Sequence, residues 1–273
     1  MEKMTIKEFK DQSNIEIIQE LMKVNNGYIT SKQLTELGIH RMYLNIMVDR
    51  GIIEKLDNGI YLDVNKFPDS YYVLNLNLPG IIYSHMTALY FHGLSIKAPD
   101  NKYNVTVKKN YNSIKLKNHN VFYVSDDIYE LGLTEVKTPF GNIVRVYDIE
   151  RCICDIIRSK KRMDNEHIKY SIRGYIKRKD KDLVKLSKYA DKMGIKKEVM
   201  DLLEWFMNKI IVNKIKCKKC GDIIESTYRH DFKFCKCGAV AVDGGKDYLR
   251  RIGYEDDYEE LSEVEKENRK DEW

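Results

Sequence analysis

Apolar residues near the start of the chain recur at helical spacing and then change to short runs typical of strands. Over residues 14–24 they fall every three or four positions, which predicts an amphipathic helix. Thr30-Ser31-Lys32-Gln33 fits a capping box, with Thr30 as the N-cap of a short second helix that ends at Gly38. A third helix is predicted from about residue 40 to residue 50.

Two short apolar runs follow the third helix, at residues 52–53 and 60–62, and their composition predicts strands. Asp57-Asn58-Gly59 between them is typical of a hairpin turn. A two-stranded hairpin is not stable alone, so we expect Ile53 and Tyr61 to pack it against the helices. Three helices followed by a braced hairpin predict a winged helix-turn-helix.

The middle of the chain mixes helical and strand patterns. Ser84 and Gly93 bound one predicted helix, and Asp148 caps another that runs to about Arg158. Strands are predicted at 104–107, 121–124, 134–138 and 143–147, and further helices near 165–178, 181–192 and 196–209. The fold class that follows is α+β and multidomain, with a mixed α/β middle domain that ends in helices.

The third predicted helix, HRMYLNIMVDRG, has one apolar face and one mixed face. At ~100° per residue, Leu44, Met47 and Val48 fall together and are expected to pack inward. The outward set is Met42, Asn45 and Ile46. In helix-turn-helix proteins the outward face of this helix meets base edges in the major groove, so the segment predicts DNA binding.

Each side chain near this outward face suits a particular part of a DNA duplex. Arg41 can form two hydrogen bonds to guanine and Asn45 can bond adenine, whereas phosphate contacts set register without reading sequence. The predicted DNA-binding residues are Lys32, His40, Arg41, Tyr43, Asn45, Arg50, Lys55 and Asn58. The alternative is a winged helix used only for protein contact, and the outward Asp49 favours it mildly because phosphates repel a carboxylate.

Four cysteines lie in two pairs near the end of the chain, in CKKCG and CKCG. Two tight turns that each present two thiolates, each followed by glycine, suit tetrahedral zinc. The predicted ligands are Cys217, Cys220, Cys235 and Cys237, which fill every position of a structural Zn²⁺ site. His230 is the alternative fourth ligand, and four free thiols are the alternative to a metal. Cys152 and Cys154 are expected to be buried core residues.

Changes in composition set the predicted domain boundaries. The chain divides into a winged helix-turn-helix DNA-binding domain (1–66), an α+β middle domain (67–211), a small zinc-ribbon-like module (212–254) and an acidic tail (255–273). We expect the tail to be flexible or partly helical because it is rich in acidic residues.

The formal net charge is +5, but it is unevenly placed along the chain. Residues 255–273 carry −7, whereas residues 158–197 contain 15 basic and 5 acidic side chains, or +10. This polarity indicates a polyanionic or acidic partner, and solvated helix faces are the alternative. The charged start MEKMTIKEFK and the absence of a long apolar run predict a cytoplasmic protein without membrane contact, whose cysteines are reduced or metal-bound.

The segment GYITSKQLTELGIHRMYLNIMVDRGIIEKLDNGIYLD, residues 27–63, resembles the winged-helix domain of AbiEi-family antitoxins. The family pattern "L…LV…G.L….GvY" is matched by Leu44, Met47-Val48, Gly51, Ile53, Gly59 and Tyr61. Residues 83–94 and 144–158 look like the family's second domain, so the resemblance covers roughly residues 10–210. The last ~60 residues look like a separate module that ordinary members lack.

This resemblance implies an antitoxin of an AbiE-type toxin–antitoxin pair, a phage-defence system that acts by abortive infection. The first domain is then a transcriptional repressor that binds double-stranded DNA at its own operator. The second domain is expected to oppose a cognate nucleotidyltransferase-like toxin. The resemblance leaves the oligomeric state open.

Acidic and histidine side chains that could serve catalysis are scattered along the chain. They are Asp126-Asp127, Asp155, Glu166-His167, His85 and His92. None falls in a known catalytic spacing, so we expect a protein that is not an enzyme. Two functions remain: a DNA-binding autoregulator that is also an antitoxin, and an interaction adaptor whose winged helix and zinc module bind proteins.

Overall fold

A computed structural model describes residues 14–266, and these divide into two units. The first unit comprises residues 14–171 and 182–194, and the second comprises residues 172–181 and 195–266. The domain boundaries inferred from composition stay predictions. No helix within 14–266 has both the length and the apolar character needed to cross a bilayer.

Three helices and a three-stranded antiparallel sheet form the amino-terminal lobe, residues 14–66 of the first unit. The helices are α1 (Asn14–Val24), α2 (Ser31–Glu36) and α3 (Met42–Asp49). The strands are β1 (Tyr28–Thr30), β2 (Ile53–Asp57) and β3 (Ile60–Asp63), in the spatial order β1-β3-β2. All three helices and both strands of the hairpin lie where the sequence pattern predicts them.

The capping box at the start of α2 is confirmed. The Gln33 N–H donates to Oγ1 of Thr30 over 3.2 Å, and Oε1 of Gln33 accepts the Thr30 N–H over 2.9 Å. These two bonds satisfy donors that a helix N-terminus otherwise leaves free. Gly38 follows α2 with φ +71°, a left-handed conformation that favours glycine.

Strand β1 was not predicted, because Tyr28-Ile29-Thr30 is too short to show an alternating pattern. It pairs with β3 in the register Tyr28 with Leu62 and Thr30 with Ile60. The strand places Thr30 directly at the N-cap of α2. The hairpin is therefore held from one side by a third strand.

The hairpin also packs against the three helices, as predicted. Ile53 and Tyr61 belong to the same buried cluster as residues of α1, α2 and α3. The cluster comprises Ile17, Ile18, Met22, Ile29, Leu34, Ile39, Leu44, Met47, Ile53 and Tyr61. Burying this apolar surface supplies the main stabilising free energy of the lobe.

A five-stranded mixed sheet with helices forms the rest of the first unit. Its strands are β4 (Ile82–Tyr83), β5 (Asn104–Lys108), β6 (Asn120–Val124), β7 (Leu133–Lys137) and β8 (Ile143–Tyr147), in the order β6-β5-β4-β8-β7. The helices of this region are α4 (Ser70–Asn77), α5 (His85–Phe91), α6 (Asp126–Tyr129), α7 (Ile149–Arg158) and α9 (Leu183–Lys192). Helix α8 (Asn165–Lys177) begins in the first unit and ends in the second. The mixed α+β class is confirmed. Asp148 caps α7 as predicted, by accepting the Arg151 N–H over 2.9 Å.

Polar contacts inside the first unit also fix the tip of the hairpin. Oδ2 of Asp57 accepts hydrogen bonds from Lys115 Nζ over 2.6 Å and from Asn77 Nδ2 over 2.7 Å. Lys115 also donates to Oδ1 of Asn77 over 2.7 Å, which closes a three-residue ring. The hydrogen bond and charge of Lys115 hold the pKa of Asp57 below its usual value. This ring, which the sequence did not predict, fixes the orientation of the hairpin.

Small sheets make up most of the second unit. Its elements are α10 (Lys196–Met207), β9 (Asn208–Val212), β10 (Lys214–Cys217), β11 (Ile223–Glu225), β12 (Lys233–Phe234), β13 (Ala241–Asp243), β14 (Arg250–Ile252), β15 (Tyr258–Glu260) and β16 (Glu263–Lys266). The spatial orders are β11-β10-β15, β12-β13-β14 and β16-β9.

The acidic tail forms two strands within residues 258–266, so the expectation of a flexible or partly helical segment is wrong for this part. After a 3-10 turn at Glu255–Asp257, β15 pairs with β10 and β16 pairs with β9. Lys219 lies 2.6 Å from Asp257, and Arg251 forms two bonds of 2.8 Å to Glu260. Strand pairing and these cations offset the repulsion among the acidic side chains. Residues 267–273 lie outside the described range.

Candidate nucleic-acid interface and candidate metal centre

Helix α3 exposes most of the side that was predicted to face outward, although Ile46 on that side is half-buried. Leu44 and Met47 are buried, whereas Asn45 is exposed and Met42 keeps 50% of its surface. Val48 is 36% exposed, so its predicted inward position is wrong. The helix is short and ends at Asp49, which leaves Val48 beyond the part that the core covers.

Two residues flanking α3 make local bonds that the sequence did not predict. Nδ1 of His40 accepts the Met42 N–H over 3.2 Å, so the ring caps the start of α3. Nε and Nη2 of Arg41 both donate to Oγ1 of Thr35 over 3.2 Å, which draws the guanidinium along α2. Arg41 is exposed and keeps further donors, since its guanidinium has five N–H groups.

The remaining predicted DNA contacts differ in exposure. Tyr43 is half-buried and packs against the core of the lobe. Arg50, Lys55 and Asn58 are exposed, and Asn58 lies in the hairpin turn beside Gly59, whose φ is +72°. Whether any of these side chains touches DNA stays a prediction.

Three of the eight predicted residues line one groove of about 740 Å³. They are Lys32, Arg41 and Asn58, and Asn75 and Arg145 line the same groove. His40, Tyr43, Asn45, Arg50 and Lys55 do not line this groove. Arg145 was not singled out in the sequence, because one arginine inside a strand pattern carries no local sign of its surroundings.

The amino-terminal lobe is not basic as a whole. Residues 14–66 contain six basic and seven acidic side chains, a formal charge of −1. Asp57 is ion-paired with Lys115 and Glu36 lies 3.8 Å from Lys32, so part of the acidic charge is compensated. Attraction to a polyanion therefore depends on where individual cations lie, rather than on net charge.

The four predicted metal ligands converge. The sulfurs of Cys217, Cys220, Cys235 and Cys237 all lie within 4.8 Å of one another. Sγ of Cys237 lies 3.7 Å from that of Cys217 and 3.5 Å from that of Cys235. A tetrahedral zinc with Zn–S bonds of ~2.3 Å sets its sulfurs ~3.8 Å apart, so the cluster fits the geometry of a metal ion. No other group of three or more metal-binding side chains occurs within 14–266.

Backbone geometry builds the cluster from two tight turns. Gly221 and Gly238 follow the second cysteine of each pair with φ +73° and +72°. Cys217 and Cys235 are buried, whereas Cys220 and Cys237 are exposed. The four thiols together could hold a metal ion at the surface of the second unit.

Hydrogen bonds shift the pKa values of three of these thiols, those of Cys220, Cys235 and Cys237. Burial alone would raise the pKa of Cys235, but the Val240 N–H and neighbouring thiols lower it to about 6. An N–H from the backbone of Asp222 lowers the pKa of Cys220. The Ala239 N–H lowers the pKa of Cys237, but hydrogen bonds with the thiols of Cys220 and Cys235 raise it to about 12. Thiolates bind divalent cations, so a bound cation would replace the protons on these sulfurs.

The other cysteines and His230 stand outside this cluster. His230 is exposed, and its Nδ1 lies 3.1 Å from the Tyr248 hydroxyl. Cys152 and Cys154 are buried in α7, as predicted, and burial raises the pKa of both thiols.

The side chains considered for catalysis have structural partners or are exposed. His85 is buried, stacks on Phe122 with ring centroids 3.5 Å apart, and its two nitrogens contact the hydroxyls of Ser84 and Ser159. Burial and nearby arginines hold its pKa well below the usual value. Nε2 of His92 lies 2.8 Å from the Tyr147 carbonyl. The exposed candidates are Asp126, Asp127 and Glu166, whereas His167 is half-buried.

Two family matches cover separate parts of the chain. Residues 209–253 match DUF7695, a domain of unknown function. This segment contains the four cysteines. Residues 16–62 match a family described as "Transcriptional regulator, AbiEi antitoxin". The second match contains α2, α3 and most of the hairpin, where the sequence resemblance was found. AbiEi regulators are not a known enzyme family.

Similarity to whole proteins is distant. No curated protein matches the chain. The crystal structure of the Rv2827c protein from Mycobacterium tuberculosis superposes with a TM-score of 0.41 at 13% identity, over 68% of this chain and 79% of that one. Residues 16–62 match the model of the AbiEi antitoxin family of transcriptional regulators, so the resemblance drawn from the sequence is confirmed for this segment.

Proposed function

We propose that the chain is a DNA-binding transcriptional autorepressor and the antitoxin of an AbiE-type toxin–antitoxin system. In this proposal the amino-terminal lobe is a winged helix-turn-helix, α3 is its recognition helix and the β2–β3 hairpin is its wing. The observation that carries the proposal is the exposed side of α3 within the segment that matches the AbiEi regulators.

The element order supports a winged helix. Helices α1, α2 and α3 precede the hairpin, and β1 completes a three-stranded sheet. The recognition helix of such a domain enters the major groove, where Asn45 can bond the N6 and N7 atoms of adenine. Lys32, Arg50 and Lys55 are placed on the flanking segments to contact phosphates, and Arg41 lies at the edge of α3 nearest α2.

The cysteine cluster is proposed to hold structural Zn²⁺. Sulfur-only ligation suits zinc, and four protein ligands leave no open position for a catalytic water. Cys217, Cys220, Cys235 and Cys237 hold the ion, and its role is to stabilise the fold of residues 212–266. The chain is proposed to be cytoplasmic, to lack an enzymatic activity and to oppose a nucleotidyltransferase-like toxin.

A second candidate function is an interaction adaptor that binds proteins without a specific operator. The formal charge of −1 on residues 14–66 favours it, because non-specific DNA affinity comes from clustered cations. The two candidates differ in whether binding depends on base sequence.

The variant Asn45→Ala tests the proposed recognition helix. We expect it to reduce discrimination between the DNA upstream of the chain's own gene and a shuffled duplex by about 1–3 kcal/mol, roughly 5- to 150-fold. The measurement is a mobility-shift titration of both duplexes with the full chain. Asn110→Ala, which removes an exposed asparagine away from α3, is the matched control.

Unchanged discrimination by Asn45→Ala would move base recognition away from this face of α3. Equal, weak binding of the parent protein to both duplexes would instead favour the adaptor function.

A further inference from the structure

A basic cavity lies at the carboxyl end of α7, outside the proposed recognition helix. Arg158 ends α7, and Lys160–Arg162 form a 3-10 turn directly after it. These residues line one cavity of about 440 Å³, which is called the basic pocket below. Its other lining residues are His85, Phe122, Tyr123, Val124, Asp155 and Ser159.

The cations of the basic pocket outnumber its carboxylates four to one, and the one carboxylate, Asp155, is attracted to both Arg151 and Arg158. Arg158, Lys160, Lys161 and Arg162 are exposed, and none of them forms an ion pair with a residue between 14 and 266. Asp155 is the one carboxylate in the lining, and it is buried with its Oδ1 3.0 Å from Nε of Arg151. Nearby Asp164 accepts the N–H groups of Glu166 and His167 instead.

The helix dipole does not account for so many cations. The carboxyl end of a helix carries about −0.5 of an elementary charge, and one basic side chain is enough to neutralise it. Four cations around a single cavity repel one another, and this repulsion costs stability unless an anion relieves it. The excess charge therefore indicates a ligand with several negative charges.

The walls of the basic pocket are fixed by contacts inside the first unit. Nη2 of Arg162 donates to the Val121 carbonyl over 3.3 Å, and its guanidinium carbon lies 4.3 Å from the centre of the Phe122 ring. Oγ of Ser159 lies 3.1 Å from Nε2 of His85. These contacts preorganise Arg162 and Ser159 and reduce the entropy that a ligand would have to offset.

We propose that the basic pocket binds the polyphosphate group of a nucleoside di- or triphosphate. The volume of about 440 Å³ lies within the range of small-ligand sites. Three or four phosphate charges match the four cations, and lysine and arginine both donate to phosphate oxygens. The ring of Tyr123 is 53% exposed at the same pocket and offers a surface on which a base can stack.

The shape of the site argues against the backbone of duplex DNA as its occupant. A duplex presents one charge per phosphate along a convex rod, whereas the basic pocket gathers its cations around one concavity. A terminal polyphosphate brings several charges into a small volume. The inference is independent of the function proposed for α3, because it concerns other residues.

Isothermal titration of the full chain with ATP tests this assignment, with pyrophosphate and adenosine as further probes. We expect ATP and pyrophosphate to bind, and adenosine to bind at least tenfold more weakly than ATP. The double variant Lys160→Ala/Lys161→Ala should weaken ATP binding on the order of tenfold or more. Lys179→Ala/Lys188→Ala removes the same charge from exposed lysines outside the basic pocket and should leave ATP binding unchanged.

Absence of ATP binding, or equal loss in the two double variants, overturns the proposal. Loss of duplex DNA binding by Lys160→Ala/Lys161→Ala with unchanged ATP binding also overturns it and makes the basic pocket part of the DNA interface. The ATP titration does not depend on how Asn45→Ala binds DNA. Either proposal can therefore be refuted while the other stands.

Discussion

Removal of metal from the four-cysteine cluster is expected to unfold the carboxy-terminal module, residues 212–266, and to leave the first unit folded. The core of this module has six buried side chains, and two of them are Cys217 and Cys235. So small a core supplies little stability by itself. Binding of structural zinc contributes about 10–16 kcal/mol in zinc-finger peptides, so the ion would dominate the stability of this module.

Metal content and amide protection measure this effect. The purified chain is expected to contain one zinc per molecule, and a chelator should abolish amide-exchange protection in β10, β11 and β13. Cys220→Ser should lower the zinc content and the protection together. Cys154→Ser changes a buried cysteine outside the cluster and should keep the zinc content at one. Full protection without metal would contradict the structural role and support four free thiols.

The second large effect is expected from Asp155→Ala, which should destabilise the first unit by about 3–5 kcal/mol. Arg151 is fully buried, and its ion pair with Asp155 has side-chain exposures of 0% and 5%. Burial raises the pKa of Asp155, and the Arg151 charge opposes this rise. Removal of the carboxylate leaves a buried guanidinium charge without its counter-ion, although Nη1 still donates to the carbonyls of Ile128 and Leu131.

Urea unfolding followed by a probe in the first unit measures this loss. Asp126→Ala is the matched control, because it breaks an exposed ion pair of 3.6 Å with Lys108 and should cost less than 1 kcal/mol. Similar costs for the two variants would show that the buried pair does not stabilise the folded state as described.

Local rules explain why the amino-terminal lobe could be predicted from sequence. The capping box at Thr30 specifies where α2 begins, and Gly38 specifies where it ends. Both signals are local, because they lie only eight positions apart. The turn at Asp57-Asn58-Gly59 similarly sets the hairpin. The four cysteines could be predicted for the same reason, since short spacing forces each pair onto one turn.

Long-range contacts explain what could not be predicted. Strand β1 forms because Tyr28 pairs with Leu62, 34 positions away. The tail becomes strand at β15 because β10 offers it an edge, whereas its composition alone is typical of disorder. The basic pocket combines His85, Phe122 and residues 158–162. His85 and the basic run were each noted in the sequence, but nothing in the sequence showed that they lie together.

Helix α3 is proposed to read base sequence in the DNA upstream of the chain's own gene. The most direct measurement is the affinity of the full chain for that DNA and for a shuffled duplex across a salt series. We predict selective binding, with log K falling against log salt with a slope of about −2.7 per chain if Lys32, Arg50 and Lys55 each neutralise one phosphate. Equal affinity for both duplexes at every salt concentration would contradict the claim.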